Sequence, residues 1–372
     1  MRIAIDAHAL GTRAGGNETF IRELLYGLLE IAPDYDIAPL VFRDYAEKGD
    51  GVGGYELVPM PRVSSWLRVP LVLPWLAWRN KFDLLHVQYI APPYCPCPFV
   101  ATVHDIVWEV MPELMTPLDV NRLKRLVPNT VRRAARVFAV TNAMREAISQ
   151  TYEYPLERID LVQTSIDPRF MPITDPGRHA EVRRKLGIDG PFVLYIGALQ
   201  PRKNLLRLAQ AFARLKDTGL DHKLVITGKK AWLAEDMLAG IEALDLGERI
   251  VFTGYADHDD LPTLLTMADA FAYVSLYEGY GLPVLEAMAC GTPVLTSTDP
   301  ALAEVTGGHA VQADPRDVDG IAHGLQRILT DTELRQRLQT EGPERAAEFS
   351  RARMARQALE AYGRTLMTAG RG

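Results

Sequence analysis

The chain has 372 residues, of which 48% are hydrophobic and 24% are charged. This balance is that of a globular protein, and the length fits two domains of ordinary size rather than a disordered chain. The formal net charge of −6 argues against a nucleic-acid partner, because neutralising phosphates requires clustered lysine and arginine.

In the first half, short apolar runs alternate with amphipathic segments of helix length. The runs are continuously apolar, which predicts parallel strands that are covered on both faces. They lie at Arg2–Ala7, Ile37–Phe42, Leu84–Val87, Phe99–His104, Val137–Thr141 and Ile159–Gln163. Helices are predicted at Glu18–Ile31 and Pro117–Ala135, with Thr116 and Thr141 as helix caps.

The second half repeats this alternation after a segment that is typical of a linker. Asp167–Gly177 contains three prolines and has no hydrophobic periodicity. The predicted strands are Phe192–Ile196, Lys223–Thr227, Ile250–Thr253, Ala270–Val274 and Pro293–Thr296. The predicted helices are Asn204–Lys216, Ala231–Leu244 and, after a helical region that begins beyond Pro315, a final helix from Arg351 to about Met367 capped by Ser350.

Strand–helix alternation over the whole length predicts an α/β fold of two doubly wound, Rossmann-like domains. We place the N-terminal domain at residues 1–170 and the C-terminal domain at 171–350. Residues 351–372 are predicted to pack back toward the N-terminal domain as a helix. Such domains bind ligands at the carboxyl ends of their strands, here facing each other across a cleft. The fold alone does not name the chemistry.

The three cysteines, Cys95, Cys97 and Cys290, have neither the spacing of a disulfide framework nor that of a metal site. A strand begins directly at Arg2, without the charged and long apolar regions of a signal peptide. We therefore expect a chain that works in a reducing cytoplasm.

The strongest functional signal is the segment 275–294, which reads as strand, glycine loop, helix, glycine and strand. Gly279 and Gly281 allow a ligand to approach the backbone, and a helix that begins near Pro283 offers N–H groups to its oxygens. Glu278 lies in the loop and Glu286 one turn into the helix. Singly, these glutamates would be a solvated loop residue and a helix-dipole partner. Together with the glycines they favour a site for two sets of sugar hydroxyls.

This segment resembles the retaining glycosyltransferases of GT-B fold whose hallmark is the E-x7-E motif, and the match continues through residues 288–293. Bacterial mannosyltransferases of polysaccharide assembly are the most similar members. The resemblance implies that Glu278 contacts hydroxyls of the donor sugar and that Glu286 binds the nucleotide ribose. The other substrate contacts implied in this segment are Gly279, Tyr280, Gly281 and Leu282.

A second motif follows the strand that ends at Ile196, where a glycine turn leads to Arg202 and Lys203 at a helix start. Cations at this end oppose the helix dipole, and a bound anion would remove the conflict. We interpret the pair as a diphosphate site, with Arg202 as a bidentate clamp and Lys203 as a point charge. In the resembling family this pair neutralises the departing diphosphate. Some members carry a further arginine where this chain has Ala198.

Gly15 and Gly16 stand between the first strand and the first helix, within Gly11–Asn17. A glycine turn before a helix suits a phosphate, although two glycines alone are weak evidence and Asn17 could simply be the helix cap. The family has a glycine pair here that lines the cleft opposite the donor diphosphate.

His104 ends a buried strand, where a lone histidine is more often structural than catalytic. The family resemblance implies contact with the donor sugar. Asp105 could orient His104, and for His86 cleft lining and simple packing are equally good interpretations. The family's usual Asn-Gly-Val-Asp stands here as Thr164–Asp167, a departure in the predicted interdomain loop.

Together with the resemblance, these residues predict transfer of a hexose from a nucleoside diphosphate sugar to a hydroxyl acceptor. The resemblance implies retention, and the choice of donor rests on it alone. GDP-mannose is the first choice of donor and UDP-glucose the second. The resemblance implies that cationic side chains replace a metal and that no cofactor is needed, and we interpret Asp259–Asp260 as helix capping. A noncatalytic nucleotide-sugar-binding subunit and a GT-B-fold nucleotide-sugar epimerase remain as alternatives.

The stretch Trp66–Trp78 is apolar but is interrupted by Arg68, Pro70 and Pro74, so no run reaches the length of a membrane span. One interpretation is a surface that touches the inner face of a membrane, stacks on a glycan or contacts a lipid-linked acceptor. The other, which we favour from the sequence, is an amphipathic helix or loop that leads into the next strand.

Overall fold

The computed structural model of the protein describes residues 1–12, 15–31, 35–48, 52, 54–216, 218–231 and 234–369. The chain forms two compact units. Unit 1 consists of Met1–Val110, Pro117–Ser165 and Phe349–Gly372, and unit 2 consists of Met111–Thr116 and Ile166–Glu348.

Unit 1 is built on a parallel sheet whose strand order is β3-β2-β1-β4-β5-β6-β7. Its seven strands are β1 (Arg2–Asp6), β2 (Asp36–Phe42), β3 (Val58–Met60), β4 (Leu84–Gln88), β5 (Phe99–Val103), β6 (Arg136–Ala139) and β7 (Ile159–Leu161). Its helices are α1 (Gly16–Ile31), α2 (Arg43–Lys48), α3 (Ser65–Leu67), α4 (Leu73–Arg79), α5 (Val107–Val110), α6 (Pro117–Arg133), α7 (Asn142–Tyr152) and, at the C-terminus, α16 (Arg351–Ala369). A π-helical turn, Arg68–Val72, joins α3 to α4.

Unit 2 contains a second parallel sheet, with the order β10-β9-β8-β11-β12-β13. Its strands are β8 (Phe192–Ile196), β9 (Lys223–Thr227), β10 (Ile250–Gly254), β11 (Ala270–Tyr273), β12 (Val294–Ser297) and β13 (Val311–Ala313). Its helices are α8 (Pro176–Leu186), α9 (Leu205–Ala213), α10 (Glu235–Glu242), α11 (Leu261–Met267), α12 (Leu282–Ala289), α13 (Pro300–Thr306), α14 (Val318–Thr330) and α15 (Thr332–Ala347).

All eleven predicted strands are present, with ends within two residues of the predicted ones. The predicted α/β class with two doubly wound sheets is confirmed. Two outer strands of three residues each, β3 and β13, were not predicted. Thr141 accepts a hydrogen bond from the Met144 amide as a helix cap, and Ser350 accepts one from the Arg353 amide.

Several boundary predictions were wrong. Pro176 and Gly177 belong to α8, because Asp175 caps this helix by accepting from the Gly177 amide, so the linker is shorter than predicted. The helix predicted at Ala231–Leu244 begins at Glu235, and residues 232 and 233 lie outside the described residues. Asn17 is not the cap of α1, since it lies inside the first turn.

Both sheets reverse their winding direction at a defined point. In unit 1 the reversal lies between β1 and β4, and in unit 2 between β8 and β11. Doubly wound sheets bind ligands beyond the carboxyl ends of the strands at such a switch point, so the loops after these four strands are the expected ligand-binding loops.

The C-terminal helix is part of unit 1. Arg351 of α16 donates two hydrogen bonds to the Glu23 carboxylate of α1, at 2.7 and 3.0 Å. A Cβ at Gly27 of α1 would lie 2.4 Å from the Arg351 carbonyl oxygen, so the helices pack too closely for a larger residue there. Further along α16, the Tyr362 hydroxyl is 2.7 Å from Nδ1 of His86 in β4.

Candidate functional site

In unit 2, three predicted site residues meet at the switch point. Lys203 Nζ donates to Oε1 of Glu278 at 2.6 Å, and Arg202 NH1 lies 3.0 Å from Oε2 of the same carboxylate. Arg202 and Lys203 follow β8, and Glu278 follows β11, the two strands at which this sheet reverses. We call these three residues the cation–carboxylate cluster.

The cation–carboxylate cluster is largely buried, and Glu278 is only 6% exposed. Burial opposes ionisation of this carboxyl, but the charges of Arg202 and Lys203 outweigh it and lower the pKa of Glu278 to about 2. Lys203 also donates to the Tyr273 hydroxyl at the end of β11, and Arg202 to the Tyr277 carbonyl oxygen at 2.7 Å. The two cations are therefore held in place without a bound anion.

One premise of the sequence interpretation was wrong. Arg202 and Lys203 do not open an α-helix; they lie in a 3-10 turn, Pro201–Lys203, and α9 begins at Leu205. Asn204, between this turn and α9, has a left-handed backbone with φ of 60°. Its side-chain Nδ2 donates to the carbonyl oxygens of Val274 and Pro315. The Glu278 carboxylate, rather than a dipole conflict, explains the arrangement of the cations in this structure.

The loop that carries Glu278 is fixed by a residue that the sequence reasoning missed. Asp299 is the N-cap of α13, where it accepts from the amides of Ala301 and Leu302, and its other carboxylate oxygen accepts from the Glu278 amide at 3.2 Å. Burial raises the pKa of Asp299 to about 6. The aspartate before Pro300 is a helix-cap signal in the sequence, but its contact with residue 278 is a tertiary one.

Gly281 ends this loop with φ of 96°, a left-handed conformation that glycine adopts readily. A Cβ here would lie 2.2 Å from Cδ2 of Leu302, so space excludes a side chain as well. Helix α12 follows with Leu282 as its first residue, and Glu286 in its middle is 8% exposed. Tyr280 is likewise buried, and Gly279 lies next to it in the loop.

Two further lysines stand at the same edge of the sheet. Lys229 and Lys230 follow β9, are exposed, and are aligned with the glycine turn after β8 through a bridge between Leu199 and Lys230. Sequence reasoning missed them, although the glycine–lysine–lysine run after a strand was a readable signal.

In unit 1, the predicted glycines come directly before α1. Gly15 has φ of 60° and its carbonyl oxygen accepts from the amides of Glu18 and Thr19, while Gly16 is the first helical residue. A Cβ on either glycine would meet no atom within 4 Å among the described residues. Packing therefore does not require glycine at 16. Residues 13 and 14 of the predicted loop lie outside the described residues.

His104 follows β5, and its Nε2 is 2.7 Å from Oε1 of Gln88 at the end of β4. Gln88 is 7% exposed, and its Nε2 has no hydrogen-bond partner within the described residues. Burial lowers the pKa of His104 to about 3, so the ring is neutral at pH 7. Asp105, which the sequence left open as a residue that could orient His104, accepts from the Val107 amide, and Gln88 is the residue that contacts the ring.

His86 has a structural role. It is 1% exposed, and its ring nitrogens contact the hydroxyls of Tyr362 and Thr102, each at 2.7 Å. Burial, followed by the neighbouring His104, lowers the pKa of His86 to about 3. Of the two interpretations left open from the sequence, packing is the one that fits.

Other residues also play a different part from the predicted one. Asp260 precedes α11, but its carboxylate binds Arg178 and Lys185 instead of capping the helix, and Asp259 pairs with Arg169. Within the described part of the chain, no three His, Cys, Asp or Glu residues form a group that could hold a metal ion. No described helix is both long and apolar enough to cross a membrane.

Two doubly wound units in one chain, with a cation–carboxylate cluster at one switch point, fit the GT-B architecture but do not by themselves name the chemistry. Family models match both halves of the chain. Residues 14–170 match Glycosyltransferase Family 4, and residues 179–345 match Glycosyl transferases group 1.

Individual relatives agree with these matches. The O-antigen chain mannosyltransferase B of Escherichia coli is 33% identical over 269 residues, which cover 71% of this chain and 69% of the relative. The O-antigen chain mannosyltransferase RfbU of Salmonella typhimurium is 27% identical over 340 residues, or 87% of this chain and 90% of that one. The chain thus belongs to the GT-B glycosyltransferases, and these two relatives are mannosyltransferases.

The fold has solved counterparts. The structure of Alr3699/HepE from Anabaena in complex with UDP and glucose matches 98% of this chain and 99% of its own, with a TM-score of 0.76 at 19% identity. This likeness confirms the GT-B architecture.

Proposed function

We propose that this glycosyltransferase transfers a hexose, with mannose from GDP-mannose as the first choice, to a hydroxyl acceptor in glycan or polysaccharide assembly. The O-antigen mannosyltransferases among its relatives support mannose as the sugar. UDP-glucose is the second choice, and the solved complex of HepE with UDP-glucose supports it. A nucleotide-sugar donor and three free cysteines favour a cytoplasmic place of work.

The cation–carboxylate cluster is the observation that carries this proposal. Two cations and one buried carboxylate lie at a switch point, where a donor would bind. Arg202 and Lys203 are proposed to bind its diphosphate, and Glu278 its sugar hydroxyls. Glu286 on α12 is proposed to bind the ribose, with residues 279–282 lining the site. Fixed cations stabilise the negative charge that develops on the leaving diphosphate.

Unit 1 is proposed to contact the donor through Gly16, Gly15 and His104. An uncrowded Gly16 at a helix N-terminus lets phosphate oxygens approach the backbone. A neutral His104 can exchange a hydrogen bond with a sugar hydroxyl without placing a competing charge there. Gln88 holds the ring and offers its own amide to the substrate.

The reaction is proposed to retain the anomeric configuration and to need neither a metal nor a cofactor. Arg202 and Lys203 supply the positive charge that a metal ion would otherwise provide. The departing phosphate oxygen takes the proton of the acceptor hydroxyl as the new glycosidic bond forms, so no side-chain base is assigned.

The test is release of nucleoside diphosphate from GDP-mannose and from UDP-glucose, first without an acceptor and then with a hydroxyl acceptor. We expect slow hydrolysis alone, faster turnover with acceptor, and loss of both in Lys203→Ala. Lys223→Ala is the matched control, because Lys223 begins β9 at the opposite edge of the same sheet and pairs with exposed Asp189. NMR of the product reports the anomeric configuration.

Donor binding without any turnover would instead support the noncatalytic binding subunit. Interconversion of the donor sugar with its epimer would support the epimerase. Failure to bind or consume either donor would contradict all three.

A further inference from the structure

Helical residues 65–79 of unit 1 present five large apolar side chains to solvent. Three are tryptophans, and a monomeric soluble protein seldom exposes so much contiguous apolar surface. The exposed fractions are 65% for Trp66, 50% for Leu67, 61% for Leu71, 49% for Trp75 and 70% for Trp78. We call these five residues the tryptophan surface.

The tryptophan surface is one face of an anchored amphipathic segment. The opposite face, formed by Val69, Leu73, Leu76 and Ala77, is buried in the unit. Arg68 is 6% exposed and pairs with Asp6 at 2.5 Å, at the carboxyl end of β1. The sequence-based interpretation of an amphipathic helix is therefore right, but it accounts only for the buried face. The pairing with Asp6 also ties the exposed face to the sheet edge that carries the predicted glycines.

The surroundings of this surface are basic, although the whole chain has a net charge of −6. Residues 62–82 include Arg62, Arg68, Arg79 and Lys81. Arg68 is buried against Asp6 and Arg62 pairs with Asp44, whereas Arg79 and Lys81 are exposed beside the tryptophans, with Asp83 following them. Helix α6 has five basic residues and one acidic residue, and it reaches this surface: Arg122 donates to the Ser65 hydroxyl and its guanidinium lies 5.5 Å from the Trp66 ring.

From the tryptophan surface and its basic surroundings, we propose that unit 1 docks on an anionic lipid bilayer. Tryptophan and leucine side chains insert at the boundary between headgroups and acyl chains, while arginine and lysine attract anionic headgroups. A neutral glycan stacked on these rings has no charge for the exposed cations beside them to attract. A second copy docked through the same face would bring two basic surfaces together, which like charges oppose. The proposal goes beyond the donor chemistry and gives a lipid-linked acceptor a place to reach the enzyme.

Co-sedimentation with vesicles tests the docking. We expect the intact chain to bind phosphatidylcholine vesicles that contain phosphatidylglycerol, and to bind less to phosphatidylcholine alone. The variant Trp66→Ser/Trp75→Ser/Trp78→Ser should bind at least about tenfold more weakly, because the inserted area is lost. Phe252→Ser/Tyr255→Ser is the control: both side chains are 48% exposed and lie in unit 2.

Charge-reversal variants distinguish a lipid bilayer from the other possible occupants of the tryptophan surface. Lys124→Glu/Arg125→Glu on α6 should weaken binding to anionic vesicles and reduce its salt dependence, whereas Arg184→Glu/Arg337→Glu in unit 2 should not. Unchanged melting temperatures and unchanged donor hydrolysis would show that the variants are folded. Absence of vesicle binding would overturn the proposal, as would equal binding by the tryptophan variant. Dimers that the tryptophan variant disperses, without vesicle binding, would assign the surface to self-association.

Vesicle binding requires no nucleotide sugar. Failure of this experiment would therefore leave the proposed donor chemistry untouched, and failure of the donor experiment would leave the docking intact.

Discussion

The carboxyl edges of the two sheets carry different side chains after their strands. After β8 and β11, unit 2 places Arg202, Lys203 and an ionised Glu278 in direct contact. After β4 and β5, unit 1 places a neutral His104 against the Gln88 amide. Topology thus decides where a ligand can bind, whereas the side chains at that edge decide which part of a ligand fits.

The paired cations of unit 2 and the uncharged His104–Gln88 pair of unit 1 suit different chemical groups. Paired cations attract a diphosphate, and they are costly to bury unless a counter-charge such as Glu278 accompanies them. Uncharged imidazole and amide groups discriminate hydroxyls by direction rather than by charge.

The largest expected effect comes from Glu278→Gln. The change removes the carboxylate that competes with a diphosphate for Arg202 and Lys203, so GDP should bind at least as tightly as in the unmodified protein. Transfer should nevertheless fall by roughly 10²–10³, the usual loss when one preorganised polar group is removed. Calorimetry with GDP and a transfer assay measure the two effects. Glu341→Gln on α15, which alters a contact with His309, should change neither. Parallel losses of GDP binding and transfer would contradict the competition.

Gly16→Ala tests the proposed role of the glycine turn in unit 1. A Cβ at this position meets open space, and alanine is the better helix former, so the free energy of unfolding should stay constant or rise by up to about 1 kcal/mol. The value of kcat/KM should fall about tenfold or more if phosphate oxygens approach this backbone. Gly177→Ala in the first turn of α8 is the control, which should leave kcat/KM unchanged. Full activity in Gly16→Ala would remove Gly16 from the site.

Asp299→Ala should separate loop positioning from helix capping. Asp299 and Asp331 both cap helices of unit 2, so each alanine variant should lose about 1 kcal/mol of stability. Only Asp299 also accepts a hydrogen bond from the Glu278 amide. Only its variant should therefore lose transfer activity, by roughly tenfold (about 1.4 kcal/mol). Equal activity in the two variants would show that Asp299 is a cap and nothing more.

The smallest expected effect concerns acid stability in unit 1. The pKa of His86 falls from an ordinary 6.5 to about 3 on folding. Its contribution to the free energy of unfolding is therefore fully present above pH 6.5 and is lost as the pH falls toward 3, because the unfolded chain takes up the proton first. Between pH 6.5 and 5 this histidine alone should cost about 1.5 kcal/mol of unfolding free energy. Urea titrations of the protein and of His86→Gln should give a smaller pH dependence for the variant. Identical slopes would contradict the burial effect.

Much of the fold could be predicted from the sequence, because strands that are buried on both faces leave continuous apolar runs. The segments around Arg202–Lys203 and Glu278–Glu286 could be singled out for a related reason: glycines and charged residues directly after such runs fall at the binding edge of a parallel sheet.

The contacts within the site could not be predicted. Lys203 and Glu278 are 75 residues apart, and Gln88 and His104 are 16 apart on neighbouring strands. Each pair forms only because the strand order brings two loops together. The left-handed Asn204 and the double role of Asp299 likewise depend on tertiary partners, so local patterns give a helix start or a cap and nothing further.

Titration of GDP into the unmodified protein and into Lys203→Ala tests the assignment of the cation–carboxylate cluster most directly. With Lys223→Ala as the control, we expect GDP affinity to fall at least about tenfold in Lys203→Ala, the loss of one charge-assisted contact to a phosphate. Equal affinity in the unmodified protein and in folded Lys203→Ala would contradict a diphosphate site at this edge of unit 2.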